Sequence, residues 1–310
     1  MFIGISGLPY SGIDEVADYL VEELQFKRVY LRHGDSNDDL HFNTVDELVA
    51  HVTPRWQTHY VLAGIDSAAE LKALEVRPFF LHLTVDAPML ESFERAKKTI
   101  PDLSLETFIE DMETRKYSNE LTLVANSAKV HLVNKNGVNS TELRAHLRQM
   151  DLMETSRVRP SWDAYFMRLA DLAAERSNCM KRQVGCVIVR DSRVICTGYN
   201  GTPRGAVNCN EGGCARCNSG EAGAALSTCL CLHAEENALL EAGRERIRDT
   251  SKLYCNTCPC LTCSIKIVQA GIKEVIYSKS YNMDAQSSKV LHDAGVTLRQ
   301  FTAPVEYYSN

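Results

Sequence analysis

The sequence predicts an α/β protein built as two domains, residues 1–150 and 151–310. Three observations carry that expectation. At 310 residues the chain exceeds one average domain and is long enough for two separate cores. All twelve cysteines lie between Cys179 and Cys263, so the first 178 residues hold none. Short apolar strand patterns alternate with helical patterns along the first half, and the alternation restarts after Pro160.

Charge divides the chain in the same place. Residues 1–150 carry 15 Lys and Arg against 23 Asp and Glu, a net −8, while residues 151–310 carry 19 against 17, a net +2. Neither half has the basic excess of a nucleic-acid binder, so no nucleic-acid partner is expected. No apolar run is long enough to span a bilayer and no basic-then-apolar leader is present. The expectation is a soluble intracellular protein with no membrane partner, in the cytoplasm or also in the nucleus.

In the first half, "MFIGISGLPYSGIDEVADYL" reads as an apolar strand, a glycine-rich turn and an amphipathic helix with Val16, Leu20 and Leu24 at helical spacing. Strands are expected at 28–32, 59–65, 79–85 and 129–134, with helices near 45–52, 67–75, 88–98, 104–126 and 139–150. Strands alternating with helices make a mostly parallel sheet. The turn "GLPYSGID" places Gly7 and Gly12 at the spacing of a phosphate-binding P-loop, G-x-x-x-x-G-K-[ST], between strand and helix. Ile13 stands where the lysine would reach the phosphates, and Asp14 where a hydroxyl would bind magnesium. A carboxylate there would repel a polyphosphate. This half resembles a P-loop nucleotide kinase whose catalytic loop has decayed, so the expectation is an inherited scaffold for assembly, with weak regulatory nucleotide binding as the lesser alternative, in place of phosphoryl transfer.

In the second half, "SWDAYFMRLADLAAERSN" is a helix expected to present Tyr165, Phe166, Leu169, Leu172 and Ala173 on one face. A hairpin follows, "VGCVIVR" and "VICTGYN" around a turn at Asp191–Ser192. Beyond a Cys-rich insertion come helix 233–243, strand 252–257, helix 260–270, strand 274–278, helix 284–293 and strand 296–301. A helix, a hairpin and then alternating helices and strands predict a three-layer α/β/α domain.

Five cysteines fall between 209 and 231 in a chain without a secretion signal, a clustering that favours metal over disulfides. His233 and Glu235 fall in the first turn of one helix, Cys260 and Cys263 in the first turn of the next. One imidazole and two thiolates supply zinc with three protein ligands and leave the fourth position for water, the arrangement of a catalytic site. Helix N-termini also favour thiolate over thiol. H-x-E followed by P-C-x-x-C is a zinc deaminase signature in which the glutamate moves protons without binding metal. A zinc knuckle that merely staples loops would account for the histidine and the cysteine pair, but not for the adjacent carboxylate or the missing fourth ligand. Cys255 and Cys258, three apart along a strand, should point to opposite faces and bind no common ion. They read as strand residues, and Cys186 and Cys196 as small apolar core residues.

Five segments, "SNCMKRQVGCVIV", "TGYNGTPRGAVNC", "CLHAEENALLEAG", "PCLTCSIKIVQAGIKEVIY" and "SYNMD", together resemble the cytidine/deoxycytidylate deaminase family over residues 160–301. Within it they are similar to deoxycytidylate (dCMP) deaminases of the fungal form, which carry an N-terminal P-loop-like extension. The resemblance implies zinc-dependent hydrolysis of dCMP to dUMP and ammonia, feeding thymidylate synthesis. His233, Cys260 and Cys263 match the family's zinc ligands, Glu235 its proton shuttle, and Asn200 a residue lining the nucleotide site. It further implies a homo-hexamer activated by dCTP and inhibited by dTTP, with Mg2+ accompanying the effector. Some members hold a second, structural zinc; matching ligands here are Cys179, Cys209 and Cys231, with a fourth from Cys214, Cys217 or Cys229. Lys181, Arg182 and Arg204 are the cations available for a substrate phosphate, and Arg244 for an intersubunit or effector contact. The rival enzyme class, a tRNA or single-stranded DNA deaminase, needs a positive groove and stacking aromatics that the composition does not show.

Overall fold

The computed structural model describes residues 1–32, 40–135, 140–218, 229–280, 285–303 and 307–309. It forms two compact units. The first runs from Met1 to Arg159 and includes the last strand of the chain, while the second begins at Pro160. The boundary therefore lies nine residues beyond position 150, and the final strand returns to the first unit, which the sequence pattern placed in the second.

The first unit contains β1 (Phe2–Gly7), α1 (Ile13–Leu24), β2 (Lys27–Leu31), β3 (His41–Phe42), α2 (Val45–Val52), β4 (Tyr60–Ala63), α3 (Ala68–Glu75), β5 (Phe80–Asp86), α4 (Met89–Thr99), α5 (Leu105–Lys116), α6 (Asn119–Asn126), β6 (Val130–Val133) and α7 (Ser140–Met150). Its sheet is parallel throughout the described residues, in the order β12–β6–β5–β1–β4–β2–β3, where β12 is Tyr307–Ser309. Central β1 is buried along nearly its whole length because helices cover both its faces. Ile3 and Ile5 pack with Val16, Leu20 and Leu147, whereas Phe2 packs with Leu48, Leu71 and Phe80.

The span 104–126 is two helices and not one. Ser118 starts the second by accepting the Leu121 amide on its hydroxyl, so a side-chain cap interrupts an otherwise helical pattern. The glycine-rich turn is held by protein groups. Asn134 Nδ2 donates to the Ser11 carbonyl at 3.0 Å and Arg95 to the Tyr10 carbonyl at 2.9 Å. Gly12 takes φ +107°, and a Cβ there would lie 2.4 Å from Asn134 Nδ2, so glycine is required whether or not a phosphate binds. Asp14 pairs with Arg28.

The second unit contains α8 (Trp162–Ala174), β7 (Gly185–Arg190), β8 (Arg193–Tyr199), α9 (Ala215–Asn218), α10 (Ala234–Arg246), β9 (Ser251–Thr257), α11 (Leu261–Ala270), β10 (Glu274–Lys279), α12 (Ala285–Asp293) and β11 (Thr297–Gln300). The sheet order is β11–β10–β9–β7–β8, with the hairpin and β7–β9 antiparallel and the remaining pairs parallel. Asp191 and Ser192 both take positive φ, +50° and +59°, which matches the twist a two-residue hairpin turn needs. Side chains alternate between the two faces of the sheet. Val187, Val189, Tyr254 and Ile276 meet Phe166, Met167 and Ala170 of α8 on one side. Cys186, Ile188, Leu253, Cys255 and Val275 meet Ala238 of α10, Ile267 of α11 and Leu291 of α12 on the other. Three α/β/α layers result.

Two details depart from the pattern reading. The buried face of α8 is Ala164, Phe166, Met167, Ala170 and Ala174, while Tyr165 and Leu172 point outward, because contact with Val187, Val189 and Tyr254 of the sheet fixes which side of the helix faces inward. Cys258 lies just past the end of β9 and is buried there, its amide donating to the Lys279 carbonyl at 3.0 Å. Residues 281–284, most of "SYNMD", lie outside the described residues.

Candidate active site

Two helix N-termini build the site. His233 is the N-cap of α10 and Cys260 the N-cap of α11, with Cys263 in the first turn of α11. The His233 amide donates to Glu236 Oε2 at 2.9 Å, and Glu236 also pairs with Lys266 of α11, so one carboxylate fixes the helix start and straps the two helices together. Gly198 of β8 permits the close approach of α10. A Cβ there would sit 2.4 Å from the Ala234 carbonyl and 2.5 Å from the Ala238 amide nitrogen.

His233 Nδ1 lies 3.4 Å from Cys260 Sγ and 3.3 Å from Cys263 Sγ, and the three ligand atoms fall within 4.8 Å of one another. A tetrahedral zinc with bonds of about 2.0 Å to nitrogen and 2.3 Å to sulfur separates such atoms by about 3.6 Å. Cys263 is fully buried, whereas His233 opens to solvent. The thiol pair cannot ionise twice unaided. The bond from Cys263, then that from His233, lowers Cys260 to about 4, and Cys263, beside that charge, is pushed well up. A divalent cation supplies the charge that lets both act as thiolates, so the donor set fits zinc. Glu235 follows the N-cap by two residues and is 4% exposed. Burial pushes its carboxyl above the ordinary carboxylate range, against the pull of its own amide and of His233.

Asn200 is buried and engaged with the chain itself. Its Oδ1 accepts from the Ser177 hydroxyl at 2.7 Å and the Val184 amide at 2.8 Å, and its Nδ2 donates to the Arg182 carbonyl at 2.8 Å. It thereby shapes the loop 177–184. Lys181, Arg182 and Arg204 are exposed, and Arg244 lines a groove between α10 and α11.

A second group of thiols lies apart from the first. Cys217 joins Cys179, Cys209 and Cys231 with all four sulfurs within 4.8 Å of one another, and Cys214, Cys217, Cys229 and Cys231 form another such set. Cys231 leads directly to the first site, since Leu232 forms a two-hydrogen-bond bridge with Gly201 and His233 follows.

Residues 160–279 match the family described as the cytidine and deoxycytidylate deaminase zinc-binding region. The deoxycytidylate deaminase of Schizosaccharomyces pombe is 48% identical over 97% of this chain and 98% of its own length. That of Saccharomyces cerevisiae is 44% identical over 97% of both chains. The chain belongs to the deoxycytidylate deaminase family. The dCMP deaminase of cyanophage S-TIM5, in apo form, is 30% identical over 46% of this chain and 99% of its own, with a TM-score of 0.37. Membership in the family extends over both units, because the two fungal relatives align along nearly the whole chain. Sequence reasoning missed the Glu236–Lys266 strap, whose only signal is a glutamate three residues after the N-cap, and the joint participation of Cys214 and Cys229.

Proposed function

We propose that this chain hydrolyses dCMP to dUMP and ammonia, with zinc held by His233, Cys260 and Cys263. One observation carries the reading: a buried carboxyl, Glu235, beside a three-ligand N,S,S set at the start of two adjacent helices. Bound there, zinc supplies the Lewis acidity that lowers the pKa of a water molecule towards neutrality. Glu235 would take one proton from the attacking water and pass it to the ring nitrogen next to the amino-bearing carbon, then take the remaining proton of the new hydroxyl and give it to the departing amine, so that the C–N bond breaks, ammonia leaves and a carbonyl remains. A carboxyl whose affinity for protons is raised by burial is suited to both steps. Asn200 holds the loop that faces the nucleotide, and substrate contact by Lys181, Arg182 or Arg204 would reach from that loop and its neighbour.

The proposal extends to assembly and regulation. Exposed Leu240 and Ile265 on the groove between α10 and α11 suit a buried contact in a homo-hexamer. Activation by dCTP and inhibition by dTTP, with Mg2+, rest on family membership alone. The first unit is proposed as the decayed nucleotide-kinase scaffold, consistent with Ile13 and Asp14 at the two positions that would serve phosphate and magnesium. Among the described residues no helix is long and apolar enough to cross a membrane. An intracellular location, in the cytoplasm or also in the nucleus, is proposed.

Ammonia release on dCMP, CMP, deoxycytidine and a cytosine oligonucleotide, each with and without dCTP and Mg2+, tests this reading. Turnover confined to dCMP and raised by dCTP is expected. Turnover on the oligonucleotide alone would place the chain with the tRNA or single-stranded DNA deaminases instead.

A further inference from the structure

Six thiols outside the catalytic site converge as two overlapping sets of four, and Cys217 and Cys231 belong to both. Sulfur separations are 3.8 Å for Cys179–Cys217 and 3.9 Å for Cys214–Cys229, Cys217–Cys229 and Cys217–Cys231. A tetrahedron with Zn–S bonds of about 2.3 Å has edges of about 3.8 Å. These four separations have the length of a metal tetrahedron's edge, the remaining ones within each set lie within 4.8 Å, and the Cys217–Cys231 pair is spaced as an edge that two tetrahedra share. One mononuclear site would use four sulfurs and leave two thiols packed against it without a partner ion. Two separate four-thiolate sites would require eight. Six close two tetrahedra only when two of them bridge.

We propose that these cysteines hold two zinc ions in one six-thiolate cluster. Cys217 and Cys231 bridge the ions, Cys179 and Cys209 complete one tetrahedron, and Cys214 and Cys229 complete the other. Six thiolates and two divalent ions leave a net charge of −2, which needs nearby donors. Backbone amides provide them at the terminal sulfurs: those of Lys181 and Arg182 at Cys179, those of Cys217 and Leu230 at Cys214, and that of Met180 at Cys209. Asn218 Nδ2 adds a longer contact to Cys209 at 3.8 Å. Among N/O/S donor sets, all-thiolate tetrahedra select soft ions, and zinc is the one the family motif already implies. The cluster staples the segments around 179–182, 209–218 and 229–231, and through Leu232 it fixes the chain that delivers His233.

This cluster deepens the proposed zinc chemistry and rests on it only for the identity of the metal. The test is zinc per chain in the full-length protein, purified under reducing conditions, by elemental analysis and native mass spectrometry. Wild type is expected to hold three ions and His233→Ala two. Two ions falling to one in that variant would overturn the cluster while leaving the catalytic site intact. Cys229→Ser, which spares the Cys179, Cys209, Cys217 and Cys231 set, should lose one ion; an unchanged count would also sink the proposal. X-ray absorption at the zinc edge needs no substitution, and absence of a zinc–zinc scattering path would overturn the shared edge.

Discussion

At the residue scale, the role proposed for Glu235 separates catalysis from metal binding. Glu235→Gln keeps the buried shape and removes the proton carrier, so ammonia release from dCMP should fall by at least about 100-fold while zinc content stays at the wild-type value. Loss of zinc in that variant would mean that the carboxylate is a ligand. His82 in the first unit makes a pH prediction with no part in the chemistry. It is buried, bonded to Ser6 Oγ at 2.8 Å, and held at about 4 by burial and then by repulsion from His131. The folded state prefers the neutral ring, so this contribution is complete above pH 6.5, the ordinary value, and is lost as pH falls towards 4. The full effect is about 3 kcal/mol. Urea unfolding of wild type and His82→Gln at pH 7.5 and 4.5 should show a markedly smaller acid loss in the variant.

At the element scale, the start of α10 decides where His233 and Glu235 point, and Gly198 decides how close α10 comes to the sheet. Gly198→Ala would place a methyl against backbone atoms of Ala234 and Ala238, which no side-chain rotation relieves. Overpacking of this kind costs about 1–3 kcal/mol. Denaturant titration should show that loss, and activity should drop with it because the displaced helix carries the site. The Glu236–Lys266 pair is partly exposed, so Lys266→Ala should change stability by less than about 1 kcal/mol. The helix signals near these residues were legible in sequence because an N-cap is local. The face of α8 was not, since Tyr165 and Leu172 fit an apolar stripe as well as Met167 and Ala170 do, and contact with β7 and β9 chooses between them.

At the scale of the whole molecule, the last strand belongs to the sheet in which the chain began. Deleting residues 304–310 uncovers the edge of β6, with which Tyr307–Ser309 pairs in parallel. Calorimetry should show the transition of the first unit lowered and that of the second unchanged. Equal loss from both would mean that the units do not unfold separately. No local pattern announces this return, because a three-residue strand has no periodicity to read, and its partner lies more than 170 residues away.

Sequence alone picked out the His233, Cys260 and Cys263 group and the neighbouring Glu235 that are proposed as the catalytic constellation. H-x-E and P-C-x-x-C each lie within one helical turn of a cap, where sterics and the first free amides set the geometry regardless of the rest of the chain. It also determined the alternation that makes both sheets, and the two-residue hairpin turn. Tertiary structure decided which sulfur lies with those of Cys179, Cys209 and Cys231, the sharing of Cys217 and Cys231 between two sets, the burial of Glu235 and where the two compact units divide. These depend on segments distant in the chain, such as Cys179 with Cys231 around the β7–β8 hairpin and β12 with β6, and such closure is set by the summed packing of each sheet, which no window of sequence contains.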